Sequence, residues 1–341
     1  MIEFLESLLT GTGKDLDLQT FKVIDQLTGR HMGLRADMTP QIARIDAHSL
    51  QRDGMVRLCY ADSVLHTRSK GLLGSRSPIQ LGAEFFGEAG VAADIEIICL
   101  MLETLRRVNL SAVCLDLGHV GVYQAVLASA GLSQEQEQTV FDCLQRKSVP
   151  DLHQALAGVD AEAAELIIAL VDMHGDDAVL ANARELFADR APGAVAAVDA
   201  LQEVATDIRR QRPDLDIYFD LAELRGYHYH TGIVFAAYVP GHGQALANGG
   251  RYDNVGAVFG RARPATGFAT DLKALLALLP AAVEPGGAIS MPDSDDPALA
   301  QVVAGLRQAG EIVINCLGTE PDPRCDRLLR ELDGEWRIEP V

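Results

Sequence analysis

The spacing of apolar residues changes along the chain, and each change marks an element. Phe4–Leu9 is a short amphipathic stretch, followed by a glycine-rich turn at Gly11–Gly13. Phe21–Asp25 and His31–Arg35 read as strands joined by a turn at Thr28–Gly29. Thr39–Leu50 has helical spacing, with Ile42, Ala43 and Ile45 on one side. Arg57–Leu65 and Ile79–Phe86 form a hairpin-like pair across Thr67–Pro78, a connection rich in Gly, Ser and Lys. Val91–Val108 reads as a helix, carrying Ile95, Ile98, Leu102 and Leu105 at three- and four-residue spacing, and Ala112–Leu117 as a strand.

From about Tyr123 to Gln211 Ala-rich amphipathic stretches dominate, broken at Gly131, Pro150, Gly175 and Pro192–Gly193, which predicts a helical insertion. Strand patterns resume at Asp216–Leu221, Tyr227–Tyr238 and Gln244–Asn248, and a helix follows Phe268. Pro285–Gly287 reads as a linker. Beyond it the pattern gives strand Ala288–Met291, helix Pro297–Ala309, strand Glu311–Leu317, helix Arg324–Leu332 and strand Glu335–Ile338. The expected organisation is a core over residues 1–280, with the insertion at about 123–211, and a small C-terminal α/β unit over 286–341. A mostly antiparallel sheet interrupted by helices places the chain in the α+β class.

Composition narrows the function classes. The 341 residues and 48% apolar content suffice for a substantial core. A formal net charge of −19, from 48 acidic against 29 basic residues, repels a polyphosphate backbone and argues against nucleic acid as the main partner. Cys59, Cys99, Cys114, Cys143, Cys316 and Cys325 are scattered without a CxxC pair, so free thiols are expected rather than a zinc site or a disulfide framework. There is no signal-peptide pattern and no apolar run long enough to cross a bilayer, which leads to an expected cytoplasmic location without a membrane partner.

Candidate chemistry begins in Ile79–Phe86. Alternation puts Gln80, Gly82 and Glu84 on one face and Ile79, Leu81, Ala83 and Phe85 on the other. The glycine between two hydrogen-bonding side chains leaves room for a ligand on the sheet, and a carboxylate with an amide suits a neutral imidazole. A solvated sheet face is the plain alternative. Asp37 and Thr39 could hold an ammonium group, or could cap the helix that follows them. Read as a strand, Leu224–Gly232 puts Arg225, Tyr227, Tyr229 and Thr231 on one face and His228 with His230 on the other. The HxH pair raises zinc, but only Asp220 offers itself as a loose third ligand, so no metal or other cofactor is expected. Asn248–Asp253 reads as a tight Gly-Gly turn leading to a guanidinium and a phenol.

Taken in order, Leu34–Thr39, Arg57–Gly87, Arg225–Phe235 with Gly249–Asp253, and Pro264–Leu275 resemble the catalytic core of histidyl-tRNA synthetases. The resemblance runs from about Glu3 to Leu279. It implies a class II aminoacyl-tRNA synthetase-like antiparallel sheet flanked by helices. It also implies a histidine-like ligand, with Asp37 and Thr39 on the α-amino group, Gln80 and Glu84 on the imidazole, and Arg225 and Tyr229 from the histidine-specific loop. The second tyrosine of that loop is His230 here.

The departures matter as much. Adenylation needs cationic side chains on ATP phosphates. The arginine the family carries after the second strand motif falls at His66, the acidic residue two positions on falls at Arg68, and the third-motif arginine falls at Ala274, beside Lys273. The C-terminal unit is shorter than an anticodon-binding domain, which with the acidic charge argues against tRNA. The first class II motif, a dimer-forming element, would precede Met1. This pattern is similar to the regulatory subunits of ATP phosphoribosyltransferase, the enzyme that opens histidine biosynthesis, including the Gly226–Gly232 and Arg263–Phe268 stretches. That resemblance implies a non-catalytic chain that self-associates and joins a short-form catalytic subunit in a hetero-oligomer, taking part in activation and histidine feedback. Two other readings stay open on sequence: a histidine-activating enzyme using Arg68, Arg76 or Lys273, and a zinc hydrolase using His228 and His230.

Overall fold

The computed structural model describes residues 1–9, 14–69, 74–224, 226–227, 229–279, 287–317 and 320–341. The chain divides into two compact units, Met1–Leu278 and Leu279–Val341.

The first unit starts with a small antiparallel sheet of β1 (Ile2–Phe4), β2 (Phe21–Ile24) and β3 (His31–Leu34), with β3 in the middle. Its main sheet has eight strands: β4 (Val56–Ser63), β5 (Ile79–Phe86), β6 (Cys114–His119), β7 (His174–Gly175), β8 (Asp216–Asp220), β9 (Ile233–Tyr238), β10 (Ala247–Arg251) and β11 (Ala265–Asp271). Their order is β4-β5-β11-β10-β9-β6-β8-β7. All neighbours run antiparallel except β6 and β8, which are parallel. The histidyl-synthetase-like α+β sheet expected from the sequence is present.

The helix Val91–Arg107 packs its Ile98, Met101, Leu102 and Leu105 stripe into the core behind that sheet. The stretch between β6 and β8 is helical, as its Ala-rich pattern predicts: Val120–Ala130, Gln134–Gln145, Val149–Ala155, Ala161–Ala169, Ala178–Phe187 and Pro192–Gln211. Its start shows clear capping chemistry, because Ser133 and Gln136 form a reciprocal capping box and Asp160 accepts the Glu162 and Ala163 amides. Only the two-residue strand β7 interrupts the run among the described residues, at the sheet edge. The expected helix Thr39–Leu50 forms as an α-helix to Arg44 and a wider π turn over Ile45–Leu50.

Several strand expectations need correction. Tyr227–Tyr238 is not one strand: β9 begins at Ile233, and Gly226, Tyr227 and Tyr229 lie in turns, with the Tyr229 and His230 amides both donating to the Gly226 carbonyl, at 2.8 and 2.9 Å. Gly249 and Gly250 are not a turn but lie inside the central strand β10. They are needed there because a Cβ on Gly249 would fall 2.0 Å from the Gly267 carbonyl oxygen, and one on Gly250 would fall 2.7 Å from that of Ile233. The glycine-rich stretch Gly11–Gly13 lies outside the described residues.

The second unit has a four-stranded sheet, β12 (Ala288–Pro292), β13 (Val313–Cys316), β14 (Cys325–Leu332) and β15 (Glu335–Pro340), in the order β13-β12-β14-β15. Its helix Pro297–Gln308 packs Leu299 and Val303 with Ile289, Val313 and Leu329. The sequence reading of Arg324–Leu332 as a helix is wrong. Asp333 and Gly334 both take positive φ, 52° and 83°, and close a two-residue hairpin that pairs Leu332 with Glu335. An Asp-Gly pair between apolar stretches is a hairpin signal, and it outweighs the helix-compatible spacing of the leucines.

Candidate ligand-binding site

The site grows out of β5. Alternation carries Glu84 and Gln80 to the same face, and β11 runs alongside with Gly267 opposite Glu84. A Cβ at position 267 would fall 1.5 Å from Glu84 Oε2, so glycine there is what lets the carboxyl lie across the sheet. Gly82 serves a different purpose from the one its spacing suggests. It pairs with Tyr60 on β4, and a Cβ would meet the Tyr60 hydroxyl oxygen at 2.4 Å. Tyr60, rather than a ligand, takes that space.

Glu84 is 2% exposed and held by three hydroxyls. Its Oε1 accepts from Thr39 at 3.0 Å and from Tyr60 at 3.2 Å, and its Oε2 accepts from Tyr252. Burial pushes the carboxyl up to about 8, against the pull of the Tyr252 and Thr39 hydroxyls and with help from the Asp37 charge. The buried phenols of Tyr60, Tyr229 and Tyr252 are pushed well above their ordinary value, first by burial and then by the Glu84 charge. All three stay protonated, and Tyr60 and Tyr252 donate to Glu84.

Gln80 latches a second segment to the first. Its Nε2 donates to Asp37 Oδ1 at 2.9 Å and its Oε1 accepts the Met38 amide at 2.9 Å. Asp37 Oδ1 also accepts the Thr39 amide at 3.1 Å, at the start of the helix Thr39–Arg44. Asp37 thus supports the helix entry through the Thr39 amide, although the N-cap itself is Met38 and carries no side-chain cap, and it borders the cavity. Tyr229 stacks on Tyr252 with centroids 5.1 Å apart, and its buried hydroxyl has no hydrogen-bond partner among the described residues.

These groups line one cavity of about 640 Å³. Asp37, Thr39, Gln80, Glu84 and Tyr229 all border it, so five of the six site residues named from sequence come together. The sixth, Arg225, lies outside the described residues, as does His228. Tyr252 and Gly267 also line the cavity, and Tyr60 supports Glu84 from beside it. The sequence signal for Tyr60 was its place opposite Gly82 in the hairpin. Tyr252 was visible only as the phenol after a supposed turn.

The guanidinium of that supposed turn points elsewhere. Arg251 Nε and Nη2 donate to buried Asp94 Oδ2 at 3.1 and 2.8 Å, and the guanidinium also donates to the Glu88 and Gly90 carbonyls, at 3.0 and 2.9 Å, and to Asp253 Oδ1 at 3.4 Å. It ties β10 to the entry of the helix Val91–Arg107. Arg263 likewise pairs with buried Asp46, at 3.0 Å.

Among the described residues, the cations named from sequence, Arg68, Arg76 and Lys273, do not line the cavity. His66 Nε2 lies 2.9 Å from the Ala36 carbonyl oxygen, Arg76 donates to the His66 carbonyl at 3.1 Å, and Lys273 Nζ donates to the Ser77 carbonyl. Arg68 is exposed. Among the described residues no lysine or arginine lines the cavity. His230 lies outside the strands, and Asp220 pairs with Lys147 at 3.0 Å. Among the described residues no cluster of three His, Cys, Asp or Glu is placed to hold a metal.

The antiparallel sheet, with a cavity on its face built from β5, β10, β11 and the Asp37–Thr39 segment, defines a class II synthetase-like domain of the histidyl kind. Residues 1–275 match the histidyl-tRNA synthetase family, and residues 286–339 match the C-terminal domain of the ATP phosphoribosyltransferase subunit HisZ. The chain is 55% identical to the ATP phosphoribosyltransferase regulatory subunit of Thioalkalivibrio sulfidiphilus, over 99% of its own length and 88% of the relative's. A Bacillus halodurans structure described as an ATP phosphoribosyltransferase regulatory subunit/histidyl-tRNA synthetase superposes with a TM-score of 0.81 at 26% identity, covering 94% of this chain and 84% of that one. A chain of the HisG:HisZ ATP phosphoribosyl transferase complex of Thermotoga maritima shares the fold, with a TM-score of 0.58 at 16% identity, over 74% of this chain and 85% of that one.

The chain belongs to the family of ATP phosphoribosyltransferase regulatory subunits. As a member it is a regulatory rather than a catalytic chain, and the histidine-activating alternative gives way to that reading. Among the described residues no helix is long and apolar enough to cross a membrane.

Proposed function

We propose that the chain joins a short-form ATP phosphoribosyltransferase catalytic subunit in a hetero-oligomer with further copies of itself, and that its cavity takes histidine as the feedback ligand without activating it. The observation that carries this is the composition of the cavity wall. It keeps Asp37, Thr39, Gln80, Glu84 and Tyr229 but, among the described residues, no cation for a nucleotide's phosphates. In this reading Asp37 faces the ligand's ammonium group while Gln80 holds Asp37 in place, and Glu84 meets the imidazole.

The protonation states suit that contact. An imidazole of ordinary pKa, about 6.5, meets a carboxyl pushed up to about 8, so at neutral pH both groups are neutral and the protonated carboxyl can donate to a ring nitrogen. Neither partner has to be stripped of water as a separate ion, which is what makes buried charge costly. The acidic chain and the small second unit favour a protein partner over tRNA.

For histidine to regulate, it must bind two states of the complex unequally. The test is histidine inhibition of phosphoribosyl transfer in the assembled complex, comparing the wild-type chain with Glu84→Gln and Asp37→Asn. The reading expects inhibition to need at least tenfold more histidine in either variant while the uninhibited rate is kept. Unchanged sensitivity in both variants places histidine at another site.

A further inference from the structure

The segment Tyr229–Gly232 has two faces. On one side Tyr229 and His230 line the ligand cavity, and on the other they line a second cavity of about 390 Å³. Gln124, Tyr227, Thr231, Asn254 and Val258 complete its wall, contributed by the helix Val120–Ala130, Tyr227 with the segment itself and the short helix Val255–Phe259.

The two sides are mechanically joined. Tyr229 stacks on Tyr252, whose hydroxyl donates to Glu84. The amides of Tyr229 and His230 share the Gly226 carbonyl as acceptor, and Gly226 has a φ of +67°. A Cβ there would fall 2.7 Å from His230 Nδ1, so the ring sits directly over that backbone. Thr231 is fixed by its amide to the Arg251 carbonyl at 2.8 Å and by its hydroxyl, which accepts the Asp253 amide at 3.0 Å. A group that moves the Tyr229–His230 pair from the second cavity therefore moves a wall of the first.

The chemistry of the second wall is distinctive. Among the described residues it carries no carboxylate, ammonium or guanidinium group, but it does carry two exposed amides, a hydroxyl, two phenols and an imidazole beside valine surface. A phosphate or carboxylate would meet no cation there, on a chain of net charge −19, and an ammonium would meet no anion. Each amide presents a donor beside an acceptor, the pattern that pairs with the edge of a nucleobase. Its volume lies within the range of small-molecule sites, roughly 300–1,000 Å³.

We propose that this second cavity binds an uncharged nitrogen heterocycle of the nucleobase type, and that its occupant changes the affinity of the first cavity through Tyr229 and His230. The coupling half rests on the reading that the first cavity takes histidine; the binding half does not. Adenosine is the probe, titrated by calorimetry into the full chain and into Gln124→Ala/Asn254→Ala, two exposed positions whose loss leaves the core intact. The proposal expects saturable adenosine binding that weakens at least tenfold in the double variant. It expects the histidine Kd to change at least threefold when adenosine is saturating, and the adenosine Kd to change by the same factor with histidine, as linkage requires.

Adenosine that fails to bind at millimolar concentration, or that binds the double variant equally well, overturns the proposal. So does an ATP affinity above that of adenosine, or a histidine Kd indifferent to adenosine. A chain that binds adenosine in this pattern but never binds histidine upholds the second site and overturns the histidine reading of the first.

Discussion

Gln80 Nε2 donates to Asp37 Oδ1 at 2.9 Å while Gln80 Oε1 accepts the Met38 amide, so one side chain fixes both ends of the Asp37–Met38 step. In the sequence, Gln80 stands out as a reader of imidazole. In the structure its amide is spent on holding Asp37 at the cavity wall, which under the histidine reading makes it a positioning residue.

Gln80→Leu removes both bonds and leaves the Met38 amide without its acceptor. At about 1 kcal/mol for each net hydrogen bond, the loss of stability should be roughly 1–3 kcal/mol. Histidine binding should weaken at least as much as in Asp37→Asn. Chemical denaturation and a histidine titration measure the two effects, and a variant that binds histidine normally contradicts the positioning role.

The raised carboxyl of Glu84 gives stability a defined pH dependence. The unfolded carboxyl loses its proton near 4.5, but the folded one keeps it until about 8. Between those values the native state binds more protons than the unfolded state, so stability falls as pH rises through the window and the full penalty is present above about 8. The size of the effect is of order 5 kcal/mol. Glu84→Gln cannot titrate, so its unfolding free energy measured from pH 5 to 9 should decline less steeply than that of the wild type. Parallel curves contradict this.

Arg251 and Asp94 form a buried pair, with side-chain exposures of 8% and 1%. Asp94 is pushed up by burial and pulled back by Arg251, so removing the guanidinium leaves an acid in a dry place. Arg251→Met should destabilise the chain by about 3–5 kcal/mol. Adding Asp94→Leu should restore a large part of that loss, because the one remaining carboxylate partner of Arg251, Asp253, is 36% exposed and reaches water. A double variant no more stable than the single one argues that the guanidinium's carbonyl contacts carry the stability instead.

Gly267→Ala puts a methyl group into the Glu84 carboxyl. The carboxyl must swing away from Tyr252 or the two strands must part. Histidine binding should drop by more than tenfold even where circular dichroism shows the fold retained. A folded alanine variant with wild-type affinity excludes Glu84 from the contact.

The sheet strands and the insertion could be read from the sequence because period-two and period-3.6 apolar spacing survive in β5, Val91–Arg107 and the Ala-rich helices. What misled was local chemistry that serves tertiary ends. Gly249–Gly250 has the form of a turn, yet the glycines are there to let β10 pass close to β9 and β11. Leu328, Leu329 and Leu332 fit a helix face until Asp333–Gly334 is recognised as the hairpin closure. Gln80 and Glu84 share a face by simple alternation, whereas the Tyr60, Thr39 and Tyr252 hydroxyls converge on Glu84 from distant segments, and no spacing rule brings them together.

The account turns on the chain being a regulator with no adenylating chemistry of its own. The most direct measurement is the rate of phosphoribosyl transfer from phosphoribosyl pyrophosphate to ATP by a short-form catalytic subunit, with and without this chain, over a range of histidine concentrations. The account predicts a rate that rises when the chain is added and falls again as histidine rises. A rate indifferent to the chain at every histidine concentration contradicts it.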